Sequence, residues 1–187
     1  PRRRDGGPRV ALILAARRGV VTGDRRVRAG EWQQGWFFSG LWREVSGATL
    51  GIVGLGRIGG AVARRARGFD MRILYTKRTP LEDEPDLERR ELDDLLAEAD
   101  IVSLHVPRSP ETERLIDARR LALLKDGATF VNTARGELVD EPALVRELAS
   151  GRIDAGLDVF AAEPHVPPEL FDLPNVVLTP HIGRSNS

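Results

Sequence analysis

The chain has 187 residues, 41% of them apolar and 30% charged, with 28 Lys and Arg against 28 Asp and Glu. That length suits one globular domain with an appended arm, and the even charge gives no electrostatic footprint for nucleic acid or an acidic membrane. Cysteine is absent and there are only three histidines, which excludes disulfides, gives no support for a metal site and is compatible with a reducing cytoplasm. The longest apolar stretch, Val10–Ala16, is too short to span a bilayer. The opening Pro-Arg-Arg-Arg-Asp-Gly-Gly-Pro lacks the hydrophobic core of a signal peptide. The expectation is a soluble, cytoplasmic chain.

Residues 1–8 are polar and glycine-rich without periodicity and read as an irregular tail. A helical pattern then runs from about Arg9 to Gly30 through Val10, Leu12, Ile13 and Leu14 before turning basic. The segment Glu31–Val45 holds all three tryptophans, Trp32, Trp36 and Trp42, together with Phe37 and Phe38. So many aromatics in a loop form either a local mini-core or an arm that packs on another subunit. The second is favoured, because aromatics concentrate at interface centres. Residues 9–45, helix and aromatic arm together, are therefore expected to contact a second copy in a homodimer.

From residue 46 onward the chain alternates. Short apolar, β-branched runs occur at Thr49–Val53, Met71–Tyr75, Ile101–Leu104, Thr129–Val131, Ala155–Val159 and Val176–Leu178, and helical patterns at Ile58–Gly68, Leu92–Ala99, Asp117–Leu124 and Glu141–Ser150. This alternation predicts an α/β domain over 46–187, a doubly wound parallel sheet with helices on both faces. Such sheets bind ligands at the carboxyl ends of their strands, so any site residue should follow a strand.

The first strand runs into Gly54-Leu55-Gly56-Arg57-Ile58-Gly59 and then an Ala- and Arg-rich helix. A lone G-x-G-x-x-G is weak evidence, but here it sits between a buried strand and a helix start, the context of Rossmann-type dinucleotide binding. Gly54 makes the tight turn, Gly56 lets a pyrophosphate approach the backbone, and Gly59 lets helix and strand pack closely. The helix start adds free amides for the phosphates. Domains specific for NAD normally carry an acid about twenty residues on, to bind the ribose hydroxyls. This chain has Tyr75-Thr76-Lys77-Arg78-Thr79 instead. Lys77 and Arg78 attract the extra phosphate of NADP, which a carboxylate would repel. NADP is the expected cofactor, with NAD the alternative.

Polar residues follow the later strands too. His105-Val106-Pro107 and Thr112 come after the third, and Asn132-Thr133-Ala134-Arg135-Gly136 after the fourth. Asp158 with Glu163-Pro164 comes after the fifth, and Thr179-Pro180-His181-Ile182-Gly183 after the sixth. In order and spacing these segments and the glycine loop resemble the cofactor domain of the D-isomer-specific 2-hydroxyacid dehydrogenases. The Tyr75–Thr79 stretch is similar to the glyoxylate/hydroxypyruvate reductase branch. The resemblance runs from about Val10 to Gly183.

The resemblance implies roles. Arg135 would bind a substrate carboxylate and polarise its carbonyl, as a planar, permanently charged guanidinium can. His181 would be the acid–base residue, and Glu163 would orient it and favour the imidazolium. Asp158 would accept a hydrogen bond from the nicotinamide carboxamide, and Arg57 and Ile58 would line the pyrophosphate. Thr133, Ala134 and Gly183 would complete the nicotinamide end, with His105, Val106, Pro107 and Thr112 shaping the nucleotide pocket. Asn132 reads equally well as a turn cap, and His165 as a solvated loop histidine. The partner implied is a small 2-keto or 2-hydroxy acid.

The family also has a substrate-binding domain, supplied by sequence on both sides of the cofactor domain. Here residues 1–9 do not read like the family's lead into the first helix, and the sequence stops at Ser187, so the substrate domain is expected to be largely absent. A dehydrogenase therefore competes with an NAD(P)-binding module that does not turn over. The set Arg135, Glu163 and His181 favours the enzyme, and length favours the module. Formate oxidation is disfavoured by Glu163, since formate needs no proton relay. A methyltransferase would not need that set.

Overall fold

The structure is a computed structural model, which describes residues 6–32, 42–79 and 84–183. Trp36, Phe37 and Phe38 of the expected arm, and most of the expected tail, lie outside the described residues.

The expected helical run from Arg9 to Gly30 is two helices, α1 (Gly7–Arg17) and α2 (Val20–Arg28). Gly19 separates them in the left-handed region, at φ 58°, a conformation glycine adopts without steric cost. Pro8 sits in the first turn of α1, where its missing N–H removes no helical bond. Leu12, Ile13 and Ala16 form the buried stripe of α1. That stripe packs on the chain's own sheet and joins a core with Leu50, Ile52 and Val131. The apolar face of Val10–Ala16 is thus largely committed within its own chain, and only its outer side faces away. Trp32 is 80% exposed.

Seven strands form one sheet: β1 (Thr49–Val53), β2 (Arg72–Thr76), β3 (Leu87–Arg89), β4 (Ile101–Leu104), β5 (Thr129–Asn132), β6 (Asp154–Leu157) and β7 (Val176–Leu178). Their order is β3-β2-β1-β4-β5-β6-β7 and every pairing is parallel. The chain builds outward from β1 in one direction and from β4 in the other, so the order reverses between those two strands, where such sheets leave a crevice. Register aligns the carboxyl ends: Val53 pairs with Thr76 and Leu104, Leu104 with Asn132, and Asn132 with Leu157. The residues that follow β1, β2, β4, β5 and β6 therefore emerge on one edge. The six expected strands are present within a residue or two, and β3 is additional.

Helices α3 (Arg57–Ala66), α4 (Leu92–Glu98), α5 (Ala118–Leu121) and α6 (Glu141–Ala149) complete the layers. The expected helix Asp117–Leu124 is a single turn, α5, capped by the Asp117 side chain accepting from Arg120 N. One core, with Leu95, Leu96, Leu121, Phe130 and Leu148, lies under α4, α5 and α6. The other, with Leu12, Ile52 and Val62, lies under α1 and α3. Helices thus cover both faces. Two strand glycines set the close approach: a Cβ on Gly51 would lie 2.6 Å from Leu95 Cδ2, and one on Gly156 2.8 Å from Leu12 Cγ.

Candidate active site

The glycine loop joins β1 to α3. Gly54 has φ 96°, and a Cβ there would sit 2.7 Å from Val106 Cγ1 and 2.9 Å from the His105 carbonyl carbon. A Cβ on Gly59 would lie 2.4 Å from Gly54 O, so this glycine lets α3 rest on the loop. Gly56 differs, because among the described residues, its own chain neighbours aside, no atom lies within 4 Å of where its Cβ would be. Its own fold does not require a glycine there, but a pyrophosphate crossing the loop would. Arg57 opens α3 and is exposed, Ile58 is half-buried, and neither lines the cleft.

That cleft holds about 730 Å³, in the range of small-molecule sites. Its walls include Gly54, Gly56, Lys77, Arg78, Thr79, His105, Val106, Pro107 and Thr112. Leu92, Leu115, Ser109 and Glu111 also line it. Sequence reasoning missed these four, which lie on helix and loop walls rather than directly after strands. Lys77, Arg78 and Thr79 project where β2 ends, and none of the three carries a carboxylate. Across the cleft, the Ser109 hydroxyl and, more weakly, the Arg78 charge help hold the Glu111 carboxyl below its ordinary value. Thr112 ties down the 107–112 loop, accepting from Ser109 N and donating to Pro107 O, both at 2.8 Å.

His105 follows β4, with Nε2 2.9 Å from the buried Ser103 hydroxyl. Burial, reinforced by the charge of Arg9, lowers its pKa to about 3, so the imidazole is neutral at physiological pH and forms part of the cleft wall. Asn132 ends β5 and caps the next turn, its Nδ2 donating to Arg135 O at 2.8 Å and its Oδ1 accepting from Ala134 N at 3.0 Å. The capping reading of Asn132 is therefore the observed one. Thr133 is 7% exposed, and its Oγ1 is a buried oxygen without a hydrogen-bond partner among the described residues. With Asp158, Thr179 and Gly183 it lines a second, mostly apolar cavity of about 200 Å³ against α1.

Asp158 is 1% exposed and organises the segment after β7. Its Oδ1 accepts from the Thr179 hydroxyl and, at 2.9 Å, from Ile182 N, and its Oδ2 accepts from Gly183 N at 2.7 Å. Its backbone carbonyl accepts from His181 N at 2.9 Å. Sequence reasoning expected a contact with the nicotinamide carboxamide; within the chain, the carboxylate holds the turn that carries His181.

His181 has φ 55°, a strained conformation for a residue with a side chain, and its Nδ1 lies 2.8 Å from Glu163 Oε2. The other Glu163 oxygen accepts from Phe160 N at 3.1 Å. Burial works to raise the Glu163 carboxyl, yet the His181 hydrogen bond, the Phe160 amide and the charges of His181 and Arg135 together hold it below the ordinary glutamate value. Arg135 is exposed, with Nη1 donating to Ala134 O at 2.6 Å. His165 is exposed on the same loop as Glu163. Among the described residues, no group of three His, Asp or Glu side chains could hold a metal ion, and no helix is long and apolar enough to cross a membrane.

A dinucleotide fits these features. The open face of Gly56 would give a pyrophosphate its approach, and the Thr133 hydroxyl, which has no hydrogen-bond partner among the described residues, would give the far end a polar contact. Between β2 and β5 lie three inter-strand spacings, about 14 Å, which suits an extended ligand lying across the sheet edge.

Fold and site define a dinucleotide-binding domain. The family model described as "D-isomer specific 2-hydroxyacid dehydrogenase, NAD binding domain" matches residues 10–183, and the chain belongs to this family. It is 52% identical over 187 residues to a glyoxylate reductase of Pyrococcus horikoshii, covering 94% of this chain and 55% of that protein. Among solved structures it is similar to a glyoxylate reductase titled as from Paecilomyes thermophila, with TM-score 0.88, 41% identity, and 97% and 55% of the two chains covered. It is also similar to an acyclic imino acid reductase in complex with NADPH and D-Arg, with TM-score 0.87, 32% identity, and 97% and 58% covered. The chain thus spans little more than half the length of the relatives it matches.

Proposed function

We propose that this chain binds NAD(P)H along the strand-end cleft and supports reversible hydride transfer between it and a small 2-keto or 2-hydroxy acid of the glyoxylate or hydroxypyruvate type. The observation that carries this reading is the Glu163–His181 pair, 2.8 Å apart on the sheet edge that also bears the open Gly56 loop. A domain that only senses nucleotide has no use for a carboxylate-oriented imidazole.

The bound nicotinamide supplies or accepts the hydride. The Gly54–Gly59 loop and the first turn of α3 would hold the pyrophosphate, and Thr133 and Gly183 would border the nicotinamide end. Arg135 pairs with the substrate carboxylate through its planar fork. With Nδ1 engaged by Glu163, Nε2 of His181 is the ring nitrogen that gives a proton to the carbonyl oxygen during reduction and takes it back during oxidation. Glu163 keeps the ring oriented and stabilises its charged form.

Lys77 and Arg78 support NADP as the preferred cofactor, as does the NADPH bound to the similar imino acid reductase. A cytoplasmic location and a homodimer that uses residues 9–45 belong to the same reading. Isothermal titration of the chain with NADPH and NADH, followed by reduction assays with glyoxylate and hydroxypyruvate after joining the chain to a substrate-binding domain, tests it. Tight NADPH binding with 2-keto acid turnover is the expected result. Nucleotide binding without turnover in the joined protein would leave a binding module.

A further inference from the structure

Arg9, near the start of α1, is 6% exposed, an unusual burial for an arginine outside the catalytic set. It lies close to Gly183. A Cβ built on Gly183 would lie 2.7 Å from Asp158 Oδ2, 3.6 Å from Thr133 Cβ and 3.8 Å from Arg9 Cζ. The guanidinium therefore closes in on the same small volume as Asp158 and Thr133, at the ends of β6 and β5. Its charge also reaches His105, at the end of β4. If adenosine lies toward Lys77–Thr79 and the pyrophosphate over Gly56, the nicotinamide extends over these three strand ends.

We propose that Arg9 sets which oxidation state of the cofactor the site prefers, its buried cation beside the nicotinamide end disfavouring the positively charged ring of NAD(P)+ relative to the neutral ring of NAD(P)H. The inference rests on the nucleotide-binding reading above. The Asp158 carboxylate borders the same volume and by itself attracts a cationic ring. Asp158 is committed to the turn through three donors, so it cannot be removed without moving His181. A cation arriving from α1 is a separate means of offsetting it. Coulomb's law at an effective dielectric near 20 gives a unit charge within about 10 Å of the ring a lever of about tenfold or more on a binding constant. The consequence is a site that holds the reduced cofactor and releases the oxidised one, biased toward reduction of a keto acid.

The test compares the full chain with Arg9→Met, which keeps the apolar stem, and Arg9→Lys, which keeps the charge. Dissociation constants for NADPH, NADP+ and ADP-ribose are measured by calorimetry on each. ADP-ribose carries no nicotinamide and reports whether the rest of the cleft is intact. The expected result is a preference for NADPH over NADP+ in the parent. That preference falls about tenfold in Arg9→Met, chiefly through tighter NADP+, and is largely retained in Arg9→Lys, with ADP-ribose unchanged in all three. An unchanged NADPH to NADP+ ratio in Arg9→Met overturns the role of Arg9 alone. Failure of the parent to bind any of the three ligands overturns the nucleotide-binding reading and this inference with it. A loss of ADP-ribose binding in Arg9→Met assigns Arg9 to the fold and overturns the proposal.

Discussion

The His181 imidazole meets the Glu163 carboxylate through Nδ1 and Oε2 at 2.8 Å, on a turn whose conformation is set by Asp158 and not by the histidine. On the proposed reading, proton transfer belongs to this pair and pyrophosphate binding to the Gly54–Gly59 loop, two different parts of the sheet edge. In the chain joined to a substrate-binding domain, His181→Ala is expected to lower kcat for glyoxylate by roughly 10²–10⁴-fold, while NADPH affinity stays within about threefold. Steady-state kinetics and calorimetry on one preparation check both halves. Normal turnover in that variant would remove His181 from the chemistry.

The proposed preference for NADP rests on the other end of the cleft, at Lys77 and Arg78. Lys77→Asp places a carboxylate beside the site expected for the 2′-phosphate and removes a charge-assisted contact worth about 1.5–3 kcal/mol. NADPH binding should weaken at least tenfold, with NADH binding unchanged or improved. Equal affinity of the parent for both cofactors would be evidence against this assignment.

Asp158 gathers three donors at two carboxylate oxygens, and asparagine offers only one acceptor oxygen. In Asp158→Asn the amide nitrogen must face a donor, leaving at least one buried N–H or O–H unpaired. A loss of about 2–3 kcal/mol in urea unfolding is expected, accompanied by loss of the His181–Glu163 contact in NMR spectra of the imidazole. An unperturbed unfolding midpoint would show that the turn is held by other means.

Much of this architecture was legible because its signals are local. Thr49–Val53, Ile101–Leu104 and Val176–Leu178 are apolar runs between turn residues, and each is observed as a strand with those bounds. The site residues follow the strands by simple offset. The misses depend on contacts distant in sequence. Leu87–Arg89 has no apolar run, and it joins the sheet beside Arg72, which binds Glu88 from 16 residues away. The break at Gly19 and the burial of Arg9 depend on where α1 lands on the sheet. The role of Asp158 in the turn also needed tertiary structure, since Thr179, Ile182 and Gly183 lie more than 20 residues downstream of it.

Charge around β3 gives a pH dependence of stability. Hydrogen bonds from the Arg72 and Arg90 side chains, working against a smaller effect of burial, lower the Glu88 pKa from 4.5 to about 2. A depressed carboxyl pKa contributes stability that is fully present above the unfolded value and disappears as pH falls through the folded one. The melting temperatures of the parent and Glu88→Gln should therefore differ near pH 6 and converge between pH 4.5 and 2. The pair is exposed, so the difference should also shrink in high salt. A gap that persists at pH 2 would mean that Glu88 acts through packing and not through charge.

The placement of β1 between β2 and β4 governs how the molecule assembles. Every neighbouring pair of strands is parallel, so none forms by a simple hairpin, and the β1–β4 pair joins Leu50 to Ile101 across half a hundred residues. Loop closure of that kind precedes its reward, which makes folding slow compared with a helical bundle of similar size. The Gly54–Gly59 loop leaves the carboxyl end of β1 and gains its shape only once both neighbours are seated. Nucleotide therefore has little to grip during the ascent to the transition state. Added NADPH should leave the refolding rate nearly unchanged while slowing unfolding, lengthening the lifetime of the native protein more than it hastens its birth.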